Sequence, residues 1–258
     1  MFIKNILLFT ISYLVLVESA FVNNLQKCSI HDGECHRDLT QSIITDIGKT
    51  GIRELGIPPI DPIHLTNITV SVAGLLDITL VDGYAKGVKD CVIERFDTHI
   101  ENERATMELT CDILIKGHYR LFSDSPLVKG ILGSDSVHGD GNGKVKIEKL
   151  HVKFEFFYYV TRRDGEVYIK CKNDVLSYTY KINGKTTFGA NNIYLGKEEA
   201  STQVVDLLNT NSKMVMDLVG KIFMDKAMEV VYVYLHKFFD LVPTKYYITE
   251  DLSQYIKS

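Results

Sequence analysis

Residues 199–242 read EASTQVVDLLNTNSKMVMDLVGKIFMDKAMEVVYVYLHKFFDLV, and this stretch decides how the rest of the chain must be arranged. Val204, Leu207, Leu208, Val215, Leu218, Ile222, Phe223, Val230, Val231, Tyr234, Leu235, Phe238 and Leu241 recur at steps of three and four, the helical period. Glu198 and Glu199 precede the run and His236 and Lys237 close it, the favourable sense for the helix dipole, and Pro243 is a natural stop. A single helix over 199–242 would run roughly 65 Å at about 1.5 Å per residue. Asn211-Ser212 and Gly220 are the places for a kink. The last third, 227–242, is apolar almost all round and requires enclosure on most sides.

The segment before it supplies the cover. From about residue 65 to 182 the period changes to two. Ile68, Val70 and Val72 alternate with polar residues, and Ile78 and Leu80 follow. Ala105, Met107, Leu109, Cys111, Ile113, Ile115, Gly117, Tyr119 and Leu121 share one parity and charged residues take most of the other, as on a strand dry on one face. Leu150 to Val160 repeat the pattern on even numbers, Val167 to Cys171 on odd, and Leu176 to Ile182 on even. Hairpin signals fall at 101–103, 139–143, 163–165 and 183–184. Upstream, 38–49 reads as an amphipathic helix, and Pro58, Pro59 and Pro62 make a rigid connector. Strands first and a long helix last predict an α+β fold, a strongly curved antiparallel sheet wrapped around one helix. No linker interrupts 21–258, which reads as one domain.

The chain has 258 residues, 45% hydrophobic and 24% charged, an ordinary globular composition. Residues 1–20 read as a secretory leader: Lys4, an apolar core over 6–17, then Ser19 and Ala20. That core is short for a membrane anchor, which needs about 20 residues. The protein is therefore expected to be secreted, with no stable membrane insertion. Net charge is −4, and removing Lys4 and Glu18 with the leader leaves it unchanged. No basic stripe of the kind nucleic acid requires is visible.

Of five cysteines, Cys28 and Cys35 close a short loop and are the first disulfide expected in an oxidising compartment. Cys91 and Cys111 flank a turn almost symmetrically and form the candidate second pair; Cys111 with Cys171 is the alternative, and spacing leaves both open. Asn67-Ile68-Thr69 is the one glycosylation sequon.

Chemistry-bearing motifs are scarce. The Cys28, His31, Cys35, His36 group suits zinc by residue type, but in a secreted chain a disulfide is the better reading. The 139–143 glycine run reads as a flexible hairpin between strands rather than a phosphate cradle, which opens a helix. There is no Gly-x-Ser-x-Gly elbow, and His99, His118 and His151 lack an obvious Ser or Asp partner. No enzyme, metal or cofactor is implied. What stands out is twelve Phe, fourteen Tyr and six Met with no Trp. One helix inside a curved sheet leaves space at its flanks for an apolar ligand.

The Cys28/Cys35 pair, the GIRELGIPPIDP run at 51–62, Gly117-His118-Tyr119, Gly139-Asp140-Gly141 and the Leu241-Val242-Pro243 close resemble the insect takeout and juvenile-hormone-binding family. The resemblance spans about residues 25–250. It implies the tubular lipid-binding architecture, with a channel for a hydrophobic ligand between sheet and helix. It also implies a secreted, non-catalytic carrier of a terpenoid or other lipid, in a family tied to hormone transport, circadian output, feeding and chemosensation. On that reading the candidate lining residues are Ile113, Ile115, Tyr119, Phe154, Phe156, Tyr178, Tyr180, Leu218, Ile222 and Phe223, with the ligand expected along 204–223 and plain core along 227–242. The rival is an extracellular interaction protein whose channel is filled by its own side chains.

Overall fold

Two long antiparallel strands, β4 (Arg104–Ser123) and β5 (Val137–Arg163), form the frame of a computed structural model that describes residues 20–72, 75–134, 136–172 and 177–257. They pair from Arg104↔Phe157 to Ser123↔Val137. On the free edge of β4, its first half takes β3 (Val92–His99) and its second half takes β2 (Leu76–Lys86), which pairs with β1 (Ile63–Val72). The free edge of β5 takes β9 (Ile193–Leu195), β8 (Thr186–Ala190), β7 (Ser177–Ile182) and β6 (Glu166–Cys171) in turn, and β10 (Glu198–Glu199) extends β9. The order β1-β2-β4-β5-β9-β10 leaves two edges, so the sheet curls without closing. Apart from Ala20, the expected leader lies outside the described residues.

One extra residue organises β5. Cys111 faces Leu150 and Ile113 faces Ile147, so β5 spends three steps where β4 spends two. Lys149 takes a positive φ of 51° there, and the Asp112 carboxylate accepts from its backbone N–H at 2.8 Å. The bulge reverses parity: Val145 and Ile147 point inward before it, Leu150, Val152, Phe154, Phe156 and Tyr158 after it. The neighbouring chain makes the same step. β7 runs along 150–155 and β8 continues along 143–147, so Asn183-Gly184 is a bulge and not the expected hairpin. A Cβ on Gly184 would meet the Glu148 carbonyl oxygen at 2.5 Å, which explains the glycine.

The second hairpin signal also fails. Residues 139–143 lie inside β5, opposite 117–121 of β4. The glycines clear space: a Cβ on Gly139 would sit 3.0 Å from the Tyr119 hydroxyl, one on Gly143 3.2 Å from the Tyr119 ring, and one on Gly141 2.3 Å from the Asn191 carbonyl oxygen. The turns at 101–103 and 163–165 are present.

The helical stretch is two helices, α4 (Ser201–Thr210) and α5 (Ser212–Leu241), with Glu198 and Glu199 in β10. The break falls at Asn211, whose backbone N–H and side-chain amide both donate to the Leu207 carbonyl. Gly220 stays helical; its missing Cβ admits the Tyr180 hydroxyl, which would lie 2.7 Å from such an atom. Only Met216, Gly220, Met224 and Met228 of α5 are buried, one stripe at steps of four. The expected enclosure of 227–242 is therefore incomplete. The sheet covers one side of the helix, and Val233, at 52% exposure, faces out.

At the N-terminus a single turn, α1 (Ala20–Asn23), precedes α2 (Gly33–Ile47). α2 starts earlier than the expected 38–49 because Asp32 caps it, its carboxylate accepting from Cys35 N–H at 3.0 Å. Cys28–Cys35 and Cys91–Cys111 are bonded, with Cα–Cα distances of 5.6 and 4.4 Å, and Cys171 is free and buried. The Cys111–Cys171 alternative is not adopted. A short helix, α3 (Pro126–Leu132), joins β4 to β5 and buries none of its residues.

Candidate functional site

The concave face of the sheet, α2 and the two C-terminal helices surround a cavity of about 1050 Å³. Its walls follow from strand parity. The rung Ala85, Ile115, Val145, Phe188 crosses four strands in register, and all four residues line the space. α5 contributes from Met214 to Phe239, so the channel follows the helix for roughly 40 Å at about 1.5 Å per residue. The lining is almost wholly aliphatic, aromatic and methionine. Lys226 and Glu229, two of its few charged members, pair with each other at 2.9 Å.

Of the ten residues expected on the wall, Ile113, Ile115, Tyr119, Phe154, Phe156, Tyr180 and Phe223 line the cavity. Leu218, Ile222 and Tyr178 do not. Leu218 is 59% exposed, on the side of α5 away from the Met216–Met224 stripe. Tyr178 turns its hydroxyl to the Asp225 carboxylate and the Lys221 carbonyl, outside the channel. The stretch expected to be plain core contributes strongly instead: Met228, Val231, Tyr234, Leu235, Phe238 and Phe239 are lining residues. Sequence reasoning also missed Met214, Met216 and Met224, although their spacing carries the same helical period. Leu39, Ile43, Ile44 and Ile47, the apolar face of α2, close a further wall.

Polar groups on the wall fall into two kinds. The Tyr119 hydroxyl donates to the Asn191 carbonyl at 2.8 Å, and burial together with Asp140 and Glu199 pushes its pKa up to about 12. It is already satisfied. By contrast His36 Nε2, Tyr158 Oη and Tyr247 Oη are buried with no hydrogen-bond partner. Burial lowers the His36 pKa, against backbone hydrogen bonding to Ser29 and Ile30 and the nearby Asp32 and Glu250 carboxylates. Burial also raises the pKa of both tyrosines. The Cys171 thiol, pushed up to about 12 by burial and then by Asp240, is unreactive.

The remaining titratable candidates lie elsewhere. His118 does have a carboxylate partner, Asp140 at 2.6 Å, and His151 meets Glu94 at 3.3 Å, both on the outer face of the sheet. Among the described residues no three His, Cys, Asp or Glu side chains form a metal-holding group, and no helix is long and apolar enough to cross a membrane.

The channel's two ends differ. At one, Cys28 N–H donates to Tyr247 O and Thr249 N–H to Cys28 O, each at 3.0 Å, and Glu250 accepts from Ser29 and from Ile30 N–H. At the other, Ile131, Leu207 and Met214 line the cavity while remaining exposed to solvent, Ile131 at 63%.

Comparison with known proteins finds a matching family and similar solved structures. The model of the haemolymph juvenile hormone binding protein family matches residues 6–249. The crystal structure of Takeout 1 from Epiphyas postvittana superimposes with a TM-score of 0.77 at 22% sequence identity, over 87% of this chain and 100% of that one. Among curated protein sequences none matches.

Proposed function

Because this chain belongs to the haemolymph juvenile hormone binding protein family, we propose that it is a secreted, non-catalytic carrier holding one small hydrophobic ligand in the channel beside α5. The observation that carries the reading is the cavity of about 1050 Å³ with its apolar walls. A channel filled by its own side chains would leave no such space, which argues against the interaction-protein alternative. The volume matches the upper end of ligand pockets, roughly 300–1,000 Å³. About ten buried methylenes contribute roughly 8 kcal/mol at about 0.8 kcal/mol each, before several kcal/mol of association cost. That leaves useful affinity without any covalent or ionic step.

Secretion is supported by the leader-like residues 1–20 and by the two disulfides, which persist in oxidising compartments. The sequon residue Asn67 is exposed on β1 with φ 53°, so a glycan there meets no packing obstacle; loss of mass on deglycosylation is the check. Delipidated protein should take up a fluorescent fatty acid or terpenoid analogue in stoichiometric amount. Organic extracts of the native protein should release one lipid per chain in the mass spectrometer. No uptake over a panel of such probes, with an empty extract, sinks the carrier reading.

A further inference from the structure

Methionine is concentrated in one place. The chain has six, and the five that lie among the described residues, Met107, Met214, Met216, Met224 and Met228, all line the channel. Four of them are on α5, whose buried residues are Met216, Gly220, Met224 and Met228. The buried line of this helix therefore carries no branched side chain. Gly220 makes a notch in it: a Cβ there would stand 2.7 Å from the Tyr180 hydroxyl and 3.2 Å from the Met216 methyl. The sheet is built differently. Much of its lining is Ile113, Ile115, Val145, Ile147 and Val152, side chains branched at Cβ and stiff at χ1. Met107, the one methionine on the sheet, stands in register between Phe96 of β3 and Phe154 of β5.

For a core that only has to fill space, leucine is the better choice. It occupies a similar volume and loses less rotamer freedom on burial. Methionine has three freely rotating side-chain torsions and a polarizable thioether, so it follows the outline of whatever it meets. A ligand held between a stiff wall and a pliable one is accommodated on the pliable side. A cis double bond or a row of methyl branches changes a chain's cross-section, and against a stiff surface each resulting gap forfeits contacts. We infer that the line Met216, Met224, Met228 sets the ligand range of the channel: it closes alike around straight, bent and methyl-branched hydrocarbon chains, so selection among them by shape is weak. Gly220 leaves the Met216 methyl room that a larger residue would take. The inference rests on the carrier reading and adds to it the class of chain accepted.

The test is displacement of the apolar fluorophore N-phenylnaphthylamine from the delipidated full chain by hexadecanol, palmitoleyl alcohol and phytol. These share a hydroxyl head and a backbone length and differ in cross-section. The ratio of variant to wild-type affinity for each alcohol cancels their different solubilities. Combining Met216→Leu, Met224→Leu and Met228→Leu keeps volume and apolarity and removes pliability. This triple variant should weaken palmitoleyl alcohol and phytol by about tenfold relative to hexadecanol. Met214→Leu, at the exposed mouth, should leave the three ratios equal. A second measurement needs no variant to fold. In wild type labelled at its methionine methyls, the NMR resonances of Met216, Met224 and Met228 should take different positions with each alcohol. Equal ratios in the triple variant, or the same methyl positions with all three alcohols, overturn the inference while leaving a carrier. Failure of the fluorophore to bind the wild-type chain takes down both.

Discussion

The two ends of the channel are built on opposite principles. Around Phe156, aromatic rings from α2, β3, β5, α5 and the C-terminal segment interlock, a disulfide closes 28–35, and backbone hydrogen bonds join 28–30 to 247–250. Around α3, no helix residue is buried, and Leu127, Ile131 and Met214 show their side chains to solvent. The first end holds its shape through contacts between segments far apart in sequence. The second is a rim of apolar groups continuous with the apolar wall. A tube made this way is anchored at its base and accessible at its mouth, an arrangement suited to storing a ligand and exchanging it at one place.

Substitutions at matched positions should expose that asymmetry. Phe156→Ala leaves a cavity at the centre of the ring cluster and should lower stability by about 3–5 kcal/mol, whereas Ile131→Ala at the mouth should stay within about 0.5 kcal/mol; chemical denaturation of the two side by side decides it. Removing the 28–35 disulfide with Cys28→Ser and Cys35→Ser should cost about 2–4 kcal/mol. The same base should be sensitive to acid. Burial alone would raise the Glu250 pKa, but hydrogen bonds from Ser29, Ile30 N–H and Thr249 outweigh it and hold the carboxyl at about 2, below its ordinary 4.5. A depressed pKa means that its contribution is complete above about pH 4.5 and is lost as pH falls toward 2. Melting curves between those limits should therefore steepen their decline in wild type relative to Glu250→Gln. If both decline alike, Glu250 is not part of the anchor.

Smaller effects fall between the ends and at the mouth. Tyr119→Phe removes the hydrogen bond to the Asn191 carbonyl and should cost about 1 kcal/mol while leaving ligand affinity unchanged. Ile131→Asp should leave both stability and equilibrium affinity near wild type. It should slow uptake and release in stopped-flow traces, because an apolar ligand then crosses a charged rim. Unchanged rates would place the entrance elsewhere.

Much of the architecture was legible because it is periodic. The two-residue parity of 105–121 and 150–160 identifies the strands and their dry faces, and five of the ten expected wall residues, Ile113, Ile115, Tyr119, Phe154 and Phe156, lie on the cavity for that reason. The errors share a cause. Leu218 and Ile222 carry the helical period as well as Phe223 does, but period alone does not say which part of a broad apolar face meets the sheet. Tyr178 has the right parity, yet a carboxylate at Asp225 and the Lys221 carbonyl, over forty residues away, draw its hydroxyl outward. The glycines at 139–143 look like a turn because turns are their commonest use; here they clear the ground for Tyr119 and Asn191, which only pairing brings near.

By itself the sequence determined the local geometry: where the chain extends, where it coils, and which residues of each element shun water. These properties depend on neighbours within a few positions. The tertiary structure alone decided which cysteines meet, where β5 takes its extra residue, and whether the space beside α5 is filled. It also decided that His36 Nε2, Tyr158 Oη and Tyr247 Oη are buried without a hydrogen-bond partner. Those outcomes depend on what lies across a gap, and the atoms across it come from segments up to two hundred residues away.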